Sequence, residues 1–502
     1  MSQTDRPLPL TGLRDRLRAA AEVLDVEVPD PSEDSAIEAA DLLAGLVQVA
    51  VGGREPGAVW LLHVALTASF PGSHEVARAR RAFELRTPGQ AEEWLLDEWY
   101  PAARHNPLAA WPMEIVRDAV VLDVSHTARH DLHTGIQRVV RSASPYWAEL
   151  GELVPVAWSD GFRGYRTLTA VERRRVFQWN EHQADGHALP ASTVGATIPD
   201  DDTPALVVPW NCTVVLAESL EAGSCDRLAA LADCSGSRLA AIGYDLIPAV
   251  SADMVPVGLS DQFLKYLTVI KHTSRVAAIS KAAAVEFRGF GEMLANQGLP
   301  GPDVHVCELP APPMPPEPVD IPSGRPRVVM VGSFEPRKNH LSVLFAAERL
   351  WREGHDFELH LVGGMSWVHD IHDEIDRLAT LGHPVHKHLA ISEEALDEQY
   401  RSARFSVFAS VHEGYGLPVV ESLAVGTPAV IGDVGSVGEI GAAGGCLLVD
   451  PRDDDSLHEG MRRLLTDDDL LRELHGEIAA RPTTTWSDYA SASWQALVGA
   501  AP

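Results

Sequence analysis

Two glutamates stand eight residues apart in "VHEGYGLPVVES", Val411 to Ser422, with two glycines and a proline between them. A carboxylate accepts paired hydrogen bonds from the two hydroxyls of a vicinal diol. Glu413 and Glu421 therefore suit a ligand with two polyol parts, a sugar at the first and a ribose at the second. Gly414 and Gly416 permit positive φ and close backbone approach. The N–H groups from Gly414 through Tyr415 and Gly416 to Leu417 can then hold hydroxyls or a phosphate. Pro418 fits the first turn of a helix. Acids that merely complement a helix dipole would account for the charge but not for the two glycines.

Upstream, "GSFEPRKNH" sets Gly332, Arg337 and Lys338 ahead of a helix that begins near Asn339. A helix N-terminus presents free N–H groups and partial positive charge, so two cations beside it suit phosphate. Lysine is scarce in this chain, which gives Lys338 more weight than a solvated basic turn would deserve. "VGGMSWVHD" offers two glycines and the flat face of Trp367 to a nucleobase, and "KHLAIS" is a third loop whose backbone groups could read a base. His126, His130 and His133 invite a metal, but no acidic partner motif such as HExxH accompanies them. They are read first as surface, next as an acceptor-lining loop, and last as metal ligands.

These loops need strands to carry them. Residues 1–112 read as helices: Leu10, Leu13, Leu17 and Leu24 form one stripe, and "AIEAADLLAGLVQVAV" and "AVWLLHVALTASF" are apolar helices. Together they predict a small helical module whose role is not legible. Residues 113–310 then alternate strands with helices, beginning with one buried strand over Val116–Val124. "ALVVPW", "TVVLAES", "RLAAIGYDLIP" and "RVAAIS" follow as further strands. Alternation of this kind predicts a parallel sheet with helices on both faces. Residues 311–326 are Pro-rich and form a semi-rigid linker. Residues 327–480 repeat the alternation as a second doubly wound domain, and 481–502 form a tail helix. Two such domains make a cleft, and ligands in such sheets bind beyond the carboxyl ends of the strands.

Composition limits the partners. A net charge of −30 argues against nucleic acid and against electrostatic adhesion to anionic lipid. No stretch approaches roughly 18 unbroken apolar residues, and "MSQTDRPLPL" lacks the basic start and apolar core of a secretory signal. The five cysteines show no CxxC pair and read as reduced and buried. The chain is expected to be cytoplasmic, with peripheral contact at the inner face of a membrane left open.

At this point "HEGYGLPVVE" resembles the E-x7-E signature of retaining glycosyltransferases of the GT-B fold, in particular family 4. "VGSFEPRKN", "SEEALDEQYRSARFSVFASVHEGYGLPVVESLAVGTPAV" and "GEIGAAGGCLLVDP" resemble that family's C-terminal domain in order and spacing. The resemblance is strong over 325–470, looser over 116–310, and absent from 1–112. It implies an α/β GT-B chain with two Rossmann-like domains facing a cleft, an acceptor domain first and a nucleotide-sugar domain second. Arg337 and Lys338 would neutralise the diphosphate, Glu421 would hold the ribose, and Glu413 would face the donor sugar. Gly414 to Leu417 would hold sugar and phosphate oxygens. In "HTGIQRVVR", Gly135 resembles the glycine of the family's first loop near donor phosphate and acceptor, with Arg138 and His133 on the acceptor side. "GYDLIP" stands where the family often has His-Asp, so only Asp245 carries over and Tyr244 departs from the pattern.

The expected donor is a GDP- or UDP-sugar, the hexose mannose in the first instance, and the acceptor a glycan, glycolipid or small molecule. No metal or other cofactor is expected. The alternatives are a natural-product glycosyltransferase, a non-catalytic nucleotide-sugar-binding subunit using 1–112 against a protein partner, and a phosphorylase of the same fold. The last would need a pyridoxal phosphate lysine, for which the second domain offers no obvious candidate besides Lys338.

Overall fold

A computed structural model describes residues 10–28, 34–53, 56–184, 204–315, 321–364 and 369–499. The Trp367 proposed to face a base, and residues 316–320 of the linker, lie outside them.

Five helices open the chain: α1 (Leu10–Val23), α2 (Ser35–Gly52), α3 (Pro56–Thr67), α4 (Ser73–Glu84) and α5 (Pro88–Arg104). They are not a free-standing module. Their apolar faces and the first sheet share one continuous core. Trp60 on α3 packs on Phe70 at 5.3 Å between ring centroids, and Phe70 meets Trp158 and Tyr165 of the sheet at 5.8 Å each. Fully buried Arg16 donates to Ala65 O at 2.9 Å and to Ala109 O at 2.5 Å, tying α1 to the chain that enters the sheet. Helix α2 is long and apolar enough, by length and composition, to cross a membrane, which the sequence reading did not anticipate. Its Leu42, Leu46 and Val47 are buried, and α1, α3 and α5 pack beside it.

The first sheet holds β1 (Met113–Val116), β2 (Val120–Asp123), β3 (Leu153–Trp158), β4 (Tyr165–Thr167), β5 (Leu206–Pro209), β6 (Thr213–Leu216), β7 (Arg238–Gly243), β8 (Thr273–Ala278) and β9 (Asp303–Val306). Their order is β1-β5-β4-β3-β2-β6-β7-β8-β9. Two expectations are corrected here. The single strand over 116–124 is two strands, broken at Arg117–Asp118 where Asp118 takes φ +59°, and β1 pairs with β5 at the far edge. The sheet is also not wholly parallel, because β4 runs antiparallel to both β3 and β5. Between β2 and β3 lie α6 (Ser125–Arg129) and α7 (Gly135–Leu150). His126 is therefore helical rather than in a loop.

The second sheet is parallel throughout: β10 (Arg327–Val331), β11 (Glu358–Gly363), β12 (Val385–Leu389), β13 (Phe405–Phe408), β14 (Ala429–Gly432) and β15 (Cys446–Val449), in the order β12-β11-β10-β13-β14-β15. Strands β13 and β14 are buried along their length, as a sheet covered on both faces requires. The tail helix Trp486–Leu497 returns to the first domain, where Trp147 Nε1 on α7 donates to Ala490 O at 3.2 Å and Ser493 Oγ at 3.1 Å. All five cysteines are free thiols, with Cys234 and Cys446 only partly buried.

Candidate active site

The carboxyl ends of β10 and β13 lie side by side because those strands pair. That adjacency brings two distant loops together. A short 3-10 turn, Pro336–Lys338, follows β10 and aims Arg337 and Lys338 at the loop after β13. Arg337 Nη1 lies 2.9 Å from Glu413 Oε2, and Lys338 Nζ lies 2.5 Å from Glu413 Oε1. Arg337 also holds Glu335 at 2.9 Å, and Val411 N donates to Arg337 O at 2.9 Å, so the two loops are stitched by backbone as well. Burial alone would raise the Glu413 carboxyl, but Lys338 and then Arg337 outweigh it and hold it below the usual carboxylate range. The glutamate is thus ionised, largely buried and locked between two cations. The side chain of Lys338 runs over Gly332 and past the Phe408 ring, 5.0 Å from its centroid.

Gly416 sits at φ +120° before the helix Leu417–Ala424, a conformation that favours glycine. Glu421 lies one turn into that helix. Tyr400 Oη donates to Glu421 Oε2 at 3.3 Å, and Arg138 of α7 forms an ion pair with Glu421 Oε1 across the cleft. The Arg138 side chain therefore faces the glutamate of the second domain and not an open acceptor surface. Gly135 opens α7 at the same place: a Cβ there would meet Leu417 Cδ1 at 3.2 Å. His133 stacks on Trp179 at 5.2 Å and approaches Arg141 at 3.1 Å. Burial first, then Arg141 and Arg138, push His133 down to about 4, so its ring is neutral at pH 7.

Asp245 follows β7 and faces the same loop from the first domain. Burial pushes it up to about 6, with Glu286 and Glu413 acting in the same sense and Arg337 against. A Cβ on Gly414 would stand 2.7 Å from Tyr244 O and 3.0 Å from Asp245 Oδ2. Glycine at 414 is thus what lets the domains close. Tyr244 itself donates to Ala217 O at 2.8 Å and is buried, so its hydroxyl is committed inside the first domain. Tyr415 Oη donates to Leu309 O at 2.9 Å, so its side chain anchors the crossover segment and leaves only its backbone near the cleft. Gly135, Arg138, Asp245, Arg337, Lys338, Glu413 and Glu421 all line one cleft of about 320 Å³. His126 and His130 contact each other instead, at 4.5 Å between rings, and are not part of that lining.

Sequence reasoning missed the groups that latch the domains. His412 Nε2 meets Glu286 Oε1 at 2.5 Å, and its Nδ1 meets Ser251 Oγ at 2.8 Å. Ser280 Oγ donates to Gly414 O at 2.8 Å, and Glu439 accepts from Lys281 N and Ala282 N at 3.0 and 2.6 Å. His412 was inside the quoted motif, but nothing local names a partner 126 residues away.

A pH effect follows from this latch. The bond to Glu286 holds His412 above its ordinary value of 6.5, with Asp245 and Glu413 adding to the effect. A raised histidine stabilises the closed form fully below 6.5 and loses that contribution as pH rises through the raised value. Asp245 has the same sign, its contribution lost between 3.8 and about 6. Closure, followed by small-angle scattering, is expected to loosen in two stages as pH rises, and His412→Gln should remove only the upper one. Identical profiles for wild type and variant would rule the latch out.

Comparison with known proteins concerns the sequence and the fold. The family model described as Glycosyl transferases group 1 matches residues 316–480. The serotype-specific mannosyltransferase WbdA of Escherichia coli is 27% identical over 334 residues, covering 63% of this chain and 38% of its own length. The MMP alpha-(1->4)-mannosyltransferase of Mycolicibacterium hassiacum is 33% identical over 172 residues, covering 33% of this chain and 41% of its own. The chain thus spans about two-fifths of the length of the curated relatives it matches. Among solved structures, sucrose-phosphate synthase from Thermosynechococcus elongatus superposes with a TM-score of 0.51 at 17% identity, covering 76% of this chain and 98% of that one. That likeness concerns the fold, which is GT-B: two α/β domains about a cleft, here with a helical N-terminal region.

Proposed function

We propose that this chain is a retaining glycosyltransferase that moves a hexose, mannose in the first instance, from a nucleotide diphosphate sugar to a glycan or glycolipid acceptor in polysaccharide synthesis. The observation that carries the reading is the largely buried Arg337–Glu413–Lys338 cluster at one end of a cleft whose other wall holds Glu421. The diphosphate belongs against the two cations and the ribose diol on Glu421. The mannosyltransferase relatives support the choice of sugar.

Both oxygens of Glu413 are engaged by cations, so it suits the role of a charge anchor better than that of a nucleophile. This favours front-face attack. The acceptor oxygen bonds to the anomeric carbon on the side from which the phosphate leaves, the carbon–oxygen bond to phosphate breaks, and the departing phosphate oxygen takes the acceptor proton. The main demand is then to stabilise negative charge on the leaving diphosphate, which Arg337 and Lys338 meet without a metal. Glu421 releases Arg138 or shares it when a ribose arrives.

The test is isothermal titration with GDP-mannose, UDP-glucose, UDP-N-acetylglucosamine, UDP-galactose and dTDP-rhamnose. One donor is expected to bind, and Glu421→Ala to weaken it by at least about tenfold, or 1.4 kcal/mol. Equal affinity in wild type and variant would remove the ribose role.

A further inference from the structure

On the face of the second sheet that α-helical segment Glu393–Arg401 flanks, a group of side chains lies that sugar transfer does not use. Strand β11 carries Glu358 and His360 at alternate positions, and β12 carries His386 and His388 likewise. His360 pairs in register with His386, so all four side chains share one face of the sheet. His360 is buried, and its Nε2 lies 3.2 Å from Glu358 Oε2. Its Nδ1 lies 2.9 Å from His388 Nε2, with the two rings nearly parallel at 7°. The His386 ring stands 4.7 Å from that of His360. One ligand atom from each of Glu358, His360 and His386 lies within 4.8 Å of the others.

We infer that Glu358, His360 and His386 form a binding site for a divalent transition metal ion of the zinc class, one that clamps β12 to β11. Tetrahedral zinc with nitrogen and oxygen ligands at about 2.0–2.1 Å needs donor atoms roughly 3.3 Å apart. The 4.8 Å spread must therefore close by about 1.5 Å, which rotation of the exposed His386 can supply. Two imidazoles and one carboxylate select zinc, nickel or cobalt over magnesium or calcium. Metal-ligating histidines usually bond through their second ring nitrogen to a fixed partner, and His388 provides one for His360 Nδ1. In the metal-bound form Nδ1–H donates to His388, leaving the Nε2 lone pair for the ion. Arg325 at 3.5 Å and Arg327 at 3.9 Å from the Glu358 carboxylate are the competing cations, and each has a closer partner, Arg325 in Asp356 at 2.6 Å and Arg327 in Ser402 Oγ at 2.8 Å.

The site is far from the transfer chemistry in topology. Glu358 is the first residue of β11, whereas Arg337, Lys338 and Glu413 follow the carboxyl ends of their strands. β12 is the outer strand of the sheet, with one side unpaired among the described residues. A metal bridging β11 to β12 would fasten the edge that is otherwise most easily frayed.

The experiment uses the full chain, freed of any affinity tag and stripped with chelator, titrated with zinc and cobalt chloride. Wild type is expected to bind one equivalent, to show a rise in melting temperature, and to give the visible absorption of tetrahedral cobalt. His386→Ala, at an exposed position, and Glu358→Gln are each expected to weaken binding by at least about tenfold. The distant surface change His74→Ala is expected to leave it intact. Absence of binding by wild type, or His386→Ala and Glu358→Gln binding as wild type does, would overturn the site.

Discussion

Lys338→Ala is expected to lower turnover of the donor by about 10²–10³-fold, the cost typical of removing one preorganised stabiliser of developing negative charge. It should also weaken the fold locally. Lys338 is the larger of the two influences that keep Glu413 ionised, so its removal leaves a buried carboxylate with Arg337 alone. Breaking a buried ion pair costs about 3–5 kcal/mol, and the remaining Arg337 should make the loss smaller than that. The double variant Lys338→Ala/Glu413→Gln separates the two effects. It should regain most of the lost stability in chemical denaturation, because the orphaned charge is gone, and yet recover no turnover. Recovery of turnover in the double variant would mean that Lys338 matters only by neutralising the Glu413 charge.

Gly414→Val is the second large effect. The new side chain starts with a Cβ 2.7 Å from Tyr244 O, a backbone atom that cannot swing aside. The domains must then remain apart, Asp245 is withdrawn from the sugar loop, and reacting groups lose their alignment. A loss of at least about 10²-fold in turnover is expected, since misplacement by an ångström is enough for that. The circular dichroism spectrum should not change. Gly289→Ala, in the helix Lys281–Ala295 with open space around it, is the matching control and should behave as wild type. Turnover within a few fold of wild type for Gly414→Val would show that this contact is dispensable.

The second domain was the legible part of the sequence for a physical reason. Its strands are short apolar runs, each followed closely by an amphipathic helix, so the period changes at every boundary. Residues that follow such strands must meet at one edge of the sheet. Arg337, Lys338 and Glu413 do meet there, although the direct pairing of both cations with Glu413 could not be read from spacing. The first domain was harder. β4 is three residues long, too short to show alternation, and its antiparallel direction depends on long-range pairing with β3 and β5. The break between β1 and β2 turns on the left-handed backbone of Asp118, a residue that gives only a weak turn signal. The merging of α1–α5 with the first sheet rests on contacts such as Trp60 to Phe70 and Arg16 to Ala109 O, and nothing local in the sequence sets Arg16 apart from a solvated helix arginine. The domain latch was invisible for the same reason, because His412 and Glu286 have no local relation.

The central claim is that the cleft between Arg337, Lys338 and Glu421 breaks the bond between a sugar and a nucleoside diphosphate. Its most direct test is the release of nucleoside diphosphate from whichever donor binds, followed in time with wild type and with Lys338→Ala. Steady release by wild type, reduced at least a hundredfold in the variant, is the predicted result. A wild-type protein that binds the donor and leaves it intact, with and without glycan and glycolipid acceptors, would contradict it and leave a nucleotide-sugar-binding subunit in its place.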